Sequence, residues 1–394
     1  MAVALLVLSS LIAFTWLMRH RRITLTFRDD PILKPGLWRS RSRPMVSILV
    51  PARNEEANIR DCLLRALQLN YQPKEIIVVD DRSEDRTAQI VAELARDHPE
   101  ISLVRVGSLP EGWTGKTHAL WEGFQRARGD WLLFIDADTR HHPDNLDVAL
   151  GFAEQGAYDL VSLLPGLECG SFWEQLLQPV LGGALMIRFS IKKINNPDSS
   201  LAFANGQYIL MRRGPYQAVG GHERVRSELL EDIAIAKVLK AARYRIATAY
   251  APDLSTTRMY STFGEITRGW ARIFYYGFGK SLAAVLLGFV LIVVFSIMPF
   301  VVAFSSAWRI FSGHGSGLMW ALFAVSFGTC LAIYAALWRI FELTRSSRLF
   351  IPLYPLAALI SAYVMLKAFF LPFSRKGVTW RGTTYAPASP EKTQ

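Results

Sequence analysis

Val46-Ser-Ile-Leu-Val-Pro-Ala-Arg-Asn-Glu55 is the stretch on which the fold turns. Val46 to Val50 reads as a buried strand that Pro51 stops, and Asn54 to Leu69 follows with helical spacing through Ile59, Leu63, Leu64 and Leu67. The pattern then repeats. Ile76 to Val79 is a second strand. Ser83 is placed to cap the next helix, with Glu84 and Asp85 in its first turn, and that helix runs to about Arg96. A third strand, Leu103 to Val106, a helix from Thr117 and a fourth strand, Trp131 to Ile135, complete the alternation. Strands alternating with helices predict an α/β, Rossmann-like parallel sheet covered on both faces. Ligands of such sheets bind beyond the carboxyl ends of the strands. Here those ends carry Pro51 to Glu55, Asp80-Asp81 and Asp136-Ala-Asp138. No Gly-x-Gly-x-x-Gly follows Val50, so a dinucleotide-binding reading loses its main support.

Outward from this core the composition changes character. Of 394 residues, 51% are hydrophobic and the mean hydropathy is +0.20, too apolar for a wholly soluble chain of this size. Val3 to Met18, Leu282 to Trp308, Leu318 to Trp338 and Leu349 to Phe373 are each near or above the roughly 20 apolar residues that cross a bilayer. The expected layout is an uncleaved anchor over residues 1–22, a catalytic domain over 44–277, C-terminal transmembrane helices over 280–374 and a tail over 375–394. The formal charge of +11 gathers beside the apolar spans, at Arg19 to Arg22 and Lys192-Lys193. That placement favours anionic lipid and a cytoplasmic domain in the inner cell membrane over nucleic acid as partner. Cys62, Cys169 and Cys330 are too scattered for a disulfide framework or a metal knuckle.

The chemistry gathers at the strand ends. Asp136 and Asp138 flank one alanine, a spacing at which two carboxylates hold a hard divalent cation while water and diphosphate oxygens fill its other positions. A solvated acidic turn is the plainer alternative. His141 and His142 nearby read as surface or loop residues. Asp80 and Asp81 are placed to hydrogen-bond a base or ribose, or one of them to cap a helix. Gly112-Trp-Thr-Gly-Lys116 is a glycine-flanked turn opening a helix, where backbone N–H groups and Lys116 could meet phosphate. Glu231-Asp232 begins an apolar-periodic helix; one carboxylate suits a general base and the other a structural acceptor. Arg268 and Trp270 offer a cation and an aromatic just before the membrane, or a snorkelling arginine and an interfacial tryptophan.

Taken in order, Val46 to Glu56, Val78-Val-Asp-Asp81, Asp136-Ala-Asp138 and Glu231-Asp232 resemble the inverting family 2 glycosyltransferases of the GT-A fold. Leu109-Pro-Glu-Gly-Trp-Thr-Gly-Lys116, Asp159-Leu-Val-Ser-Leu163 and Gly220-Gly-His222 look closer to hopanoid-associated and carotenoid-type membrane glycosyltransferases. The resemblance implies nucleoside binding by Pro51, Arg53, Glu55, Asp80 and Asp81, a Mg or Mn ion and diphosphate at Asp136 and Asp138, and Asp232 as catalytic base. It implies transfer from a nucleotide-sugar to a lipid or other hydrophobic acceptor. Processive relatives carry Gln-x-x-Arg-Trp; here Glu265 replaces the glutamine and a glycine separates Arg268 from Trp270. That departure weighs against a processive polysaccharide synthase. A catalytically silent membrane scaffold is the remaining alternative, and the full set of aspartates argues against it.

Two further expectations follow from the apolar segments. Phe172 to Ile191, interrupted by Pro179 and closed by Lys192-Lys193, reads as an interfacial element admitting a lipid acceptor, or else as a core helix of the domain. Three full C-terminal spans would send the tail outside, yet Arg375, Lys376 and Arg381 favour the inside. One segment is therefore expected to be re-entrant, with Pro352 and Pro355 marking the last as the candidate.

Overall fold

The computed structural model describes residues 2–373, 378–380 and 383–385. Arg375, Lys376 and Arg381 lie outside the described residues.

Four parallel strands form the first half of the sheet: β1 (Val46–Ala52), β2 (Lys74–Asp81), β3 (Ile101–Val106) and β4 (Trp131–Ile135). Three more complete it: β5 (Leu160–Leu164), β6 (Tyr208–Arg212) and β7 (Ile246–Tyr250). The order across the seven strands is β3-β2-β1-β4-β6-β5-β7. β6 runs antiparallel to both β4 and β5, so the sheet is mixed rather than wholly parallel. Helices α2 (Ile59–Leu67), α3 (Thr87–Asp97), α4 (Gly115–Arg126) and α5 (Asn145–Gln155) join the early strands. Apolar side chains fill a core on each side of the sheet, Ile48, Val50 and Leu133 on one and Leu49, Val79 and Phe134 on the other. That is the burial on both faces expected of near-continuous hydrophobic strands.

At the amino ends of the strands, the Glu75 carboxylate accepts from the Ser47 hydroxyl at 2.6 Å and from the Arg128 N–H at 2.7 Å, tying β2 to β1 and to the lead-in of β4. Gly129 is required there: a Cβ would stand 2.4 Å from the Ser47 nitrogen. The carboxyl ends are thereby left to irregular loops. Two of these differ from the sequence reading. β1 continues through Pro51 to Ala52, and α2 begins only at Ile59. The intervening Asn54 takes a left-handed φ of 55° and Arg82 one of 57°. Ser83 does not cap α3; its hydroxyl accepts from the Asn54 N–H at 3.0 Å, and the Asn54 carbonyl oxygen accepts from the Glu84 N–H at 2.9 Å. Both side chains go to holding the two loops together.

Beyond α6 (Phe172–Arg188), α7 (Glu231–Ala241) and α8 (Phe263–Gly277) the chain becomes apolar. Among the described residues, four helical segments are long and apolar enough to cross a membrane: Val3–Leu25, Leu282–His314, Gly317–Leu343 and Arg348–Phe373. The first lies in α1 (Ala2–Asp29). The second, α9, contains a π-type turn at Val293–Ile297, and the Trp16 indole N–H of α1 donates to the Phe295 carbonyl at 2.7 Å. The third is α10. The last enters as a tight 3-10 turn at Arg348–Leu353 and becomes α11 (Tyr354–Phe370).

That last segment begins and ends against the α/β domain. At its start, Arg345 pairs with Asp253 at 2.6 Å and the Ser347 N–H donates to Gln175 of α6 at 3.3 Å. Near its end, the Lys367 ammonium donates to the Thr267 hydroxyl of α8 at 3.0 Å. The Tyr334 hydroxyl of α10 reaches the Pro352 carbonyl at 3.4 Å, so the turn at the prolines lies well down α10 from its domain end. α11 then returns antiparallel to α9, with Tyr354 beside Phe300 and Met365 beside Gly288.

Candidate active site

The carboxyl ends of β1, β2 and β4 open into a cavity of about 950 Å³ that continues between α6 and α8 to the end of α11. Of the residues singled out from sequence, Pro51, Arg53, Glu55, Asp81, Lys116, Asp136, Asp138, Asp232, Arg268 and Trp270 line it together. Asp80 sits just beneath, buried.

The geometry centres on Lys116. Its ammonium lies 2.7 Å from an Asp136 carboxylate oxygen at the end of β4 and 2.7 Å from a Glu231 carboxylate oxygen at the start of α7. The lysine is delivered by the turn before α4, where Gly112 takes a φ of 79° and the Thr114 hydroxyl caps the helix by accepting from the Thr117 N–H. Rather than standing free for phosphate, Lys116 joins the two acidic motifs. Burial opposes its charge, but the carboxylates of Asp136, Glu231 and Asp232 outweigh burial and hold the ammonium above the ordinary lysine range.

Asp232 is fixed from the other side. One oxygen accepts from the Gly206 N–H at 2.8 Å and the other from its neighbour Ile233 at 2.7 Å. A Cβ at Gly206 would stand 2.9 Å from the Lys116 nitrogen and 3.2 Å from an Asp232 oxygen, so a side chain there would press on both. Burial, then the adjacent Glu231 carboxylate, push Asp232 well above the usual carboxylate range, while Lys116 and the two N–H groups pull it back. A carboxyl raised in this way is suited to accept a proton near neutral pH.

The loops after β1 and β2 carry a second arrangement. Asp81 is gripped by Arg82 at 2.8 Å, with Arg53 at 3.7 Å. Glu55 accepts from the Asn58 amide at 2.9 Å. Asp80 Oδ1 and Arg53 Nε are buried without hydrogen-bond partners, an unusual state for interior polar atoms. Asp136 and Asp138 offer hard oxygen donors. Among the described residues no three His, Cys, Asp or Glu side chains converge as a self-contained metal cage. The pair therefore fits a cation that takes its other ligands from solvent and a bound diphosphate.

Some placements differ from expectation. His141 is a buried residue, not a surface one; its ring nitrogen lies 3.0 Å from the Thr139 hydroxyl, and burial lowers it to about 4. Trp270 is a wall of the cavity, its indole N–H given to Gln178 of α6 at 2.7 Å. Glu265 accepts from the Thr262 and Ser261 N–H groups in a capping box at the start of α8, which accounts for a carboxylate there. Gly269 accommodates the Tyr260 ring, which a Cβ would meet at 2.3 Å. The glycine between Arg268 and Trp270 thus has a local packing cause. Gly206, Gln178 and Lys367 were not singled out from sequence, and no local pattern around them marks a site.

Comparison with known proteins bears on the family and the fold. Residues 47–220 match the family model for Glycosyl transferase family 2. A 4,4'-diaponeurosporenoate glycosyltransferase of Staphylococcus haemolyticus is 27% identical over 265 residues, 65% of this chain and 66% of that protein. An undecaprenyl-phosphate 4-deoxy-4-formamido-L-arabinose transferase of Pectobacterium carotovorum is 34% identical over 151 residues, 38% of this chain and 44% of that one. Each match thus spans less than two thirds of the relative. The mannosyltransferase PcManGT from Pyrobaculum calidifontis, solved in complex with GDP-Man and Mn2+, shares the fold with a TM-score of 0.52 at 19% identity, over 92% of this chain and 99% of that one. The chain carries a family 2 glycosyltransferase domain with the GT-A fold, joined to apolar helices.

Lys116 holds Asp232 down against burial, so Lys116→Met should leave Asp232 protonated to higher pH. The acid limb of the transfer rate should move upward in pH, with a loss of about tenfold or more at neutrality. A pH–rate profile that loses height without moving would confine Lys116 to binding.

Proposed function

We propose that this protein is a membrane-embedded, inverting glycosyltransferase that moves a sugar from a nucleotide-sugar to a lipid or other hydrophobic acceptor. The observation that carries the reading is the single cavity, which joins the acidic strand ends to a wall of apolar helices. Relatives named for transfer to diaponeurosporenoate and undecaprenyl phosphate support a hydrophobic acceptor.

The nucleoside lies against Pro51, Arg53, Glu55, Asp80 and Asp81, where the unsatisfied Asp80 and Arg53 atoms gain partners from the ligand. Asp136 and Asp138 would hold a Mg or Mn ion, whose chemistry is to neutralise charge on the departing diphosphate. Arg268 faces the diphosphate from α8. The acceptor oxygen attacks the anomeric carbon from the face opposite the diphosphate. As that bond forms, the bond from the anomeric carbon to the diphosphate oxygen breaks and its electron pair leaves with the nucleoside diphosphate. Asp232 takes the proton from a hydroxyl acceptor, held in aim by the Gly206 N–H; for an acceptor already ionised it serves to position.

Transfer is read as radiolabel moving from a panel of UDP- and GDP-sugars into organic-extractable lipid. With a hydroxyl acceptor, Asp232→Asn should lower single-turnover transfer by roughly 10² to 10⁴ while leaving donor affinity nearly intact. Glu231→Gln should slow the chemical step less. Chelation of divalent ions should abolish transfer. Full activity in excess chelator, or a normal rate for Asp232→Asn beside a slow Glu231→Gln, would contradict the assignments.

The same reading gives the topology. α1, α9 and α10 cross the inner membrane, the α/β domain is cytoplasmic, and the segment ending in α11 is re-entrant, because both of its ends meet the domain. A membrane-impermeant maleimide added outside spheroplasts should label Phe311→Cys and spare Phe373→Cys. Labelling of Phe373→Cys from outside would make α11 a full span.

A further inference from the structure

Arg268 aside, the membrane end of the cavity carries positive charge for which the transfer step has no evident use. Lys367 of α11 lines it together with Arg268 and Arg272, which are one turn apart on α8. Lys367 is steered by its hydrogen bond to Thr267, and the Arg272 guanidinium donates to the Tyr260 hydroxyl at 3.2 Å. Arg268 is near enough for its charge to be felt at Lys367, so like charges face one another across the cavity wall. The carboxylate nearest in sequence, Glu265, is engaged in capping α8.

A lysine within an apolar, membrane-associated helix is costly and is rarely kept without a partner of opposite charge. Leu185, Met186 and Leu371 continue the wall beside it, giving the lining an apolar stretch next to a cationic one. At the other end stand Asp136, Asp138, Glu231 and Asp232, which would repel an anion entering unaccompanied. An apolar wall, a cationic collar and an acidic floor match a molecule with a hydrocarbon tail and a negatively charged head.

Building on the lipid-acceptor reading, we propose that Lys367 is the receptor for an anionic head group, so that the acceptor is an amphiphile bearing a carboxylate or a phosphate. Lys367 is then a specificity-determining residue supplied by the re-entrant helix. Arg268 stays with the donor diphosphate.

The test uses the full chain in nonionic detergent with parinaric acid and its methyl ester as probes, read by energy transfer from tryptophan. The acid should bind at least about tenfold more tightly than the ester, equivalent to about 1.4 kcal/mol. Lys367→Gln should remove the preference, and Lys367→Arg should restore most of it. Farnesyl phosphate should displace the acid better than farnesol does. Equal binding of acid and ester by the unaltered protein, or a preference that survives Lys367→Gln, would overturn the proposal. UDP and GDP affinities are measured alongside. A loss in Lys367→Gln as large as that in Arg268→Gln would assign the lysine to the donor and overturn it too. The two readings fail separately: absence of lipid product from every nucleotide-sugar with the acid preference intact defeats the transferase reading, whereas lipid product with equal acid and ester binding defeats only the anionic acceptor.

Discussion

One ammonium among carboxylates holds this site in shape. Lys116 joins the end of β4 to the start of α7 through two contacts of 2.7 Å, drawing together groups nearly one hundred residues apart in the chain. Without it, Asp136, Glu231 and Asp232 would crowd a half-buried floor with like charge, and breaking such a pair typically costs about 3–5 kcal/mol. The compensation is local. Lys116 quiets Asp136 and Glu231 directly, while Asp232, one residue on, keeps a raised affinity for protons because burial still acts on it. The contact that ties these elements together also bears on the proton affinity of Asp232.

The loops at the carboxyl ends of the strands and the helices at the far end of the cavity depend on different physics. In the loops, Asn54 and Arg82 take left-handed backbone angles and side chain to backbone hydrogen bonds tie the segments, so shape is specified by polar contacts. At the far end, α6 and α8 meet through Gln178 and Trp270, and Leu176, Leu181 and Phe274 pack in one apolar cluster with α10 and α11. The cavity begins in the first environment and ends in the second. The Gly269 and Glu265 departures from the processive pattern are explained by Tyr260 packing and helix capping.

Much of this was open to reading from residues alone. β1, β2 and β4 announce themselves because both faces are buried and the runs are nearly continuous, while β3 at the sheet edge leaves Ser102 and Arg105 exposed; the carboxyl ends bring the aspartates to one edge as the topology requires. The direction of β6 was not readable, since an apolar strand carries no local mark of parallel or antiparallel pairing. His141 was misplaced because its burial comes from β-pairing with Ser255, more than one hundred residues away. Lys367 stands inside the apolar run from Leu349 to Phe373, and no pattern in that run marks it. Only the return of α11 to Thr267 shows that it belongs to the cavity.

The central claim is that one cavity receives a water-soluble donor at one end and a membrane-borne acceptor at the other. Photocrosslinking with a diazirine-tagged isoprenoid in proteoliposomes, followed by peptide mapping, tests it most directly. The account predicts label on the wall formed by Leu185, Met186 and Ile273, lost when untagged acceptor competes and retained when UDP occupies the donor end. Label confined to the lipid-exposed outer faces of α1 and α10, unchanged by competitor, would contradict it.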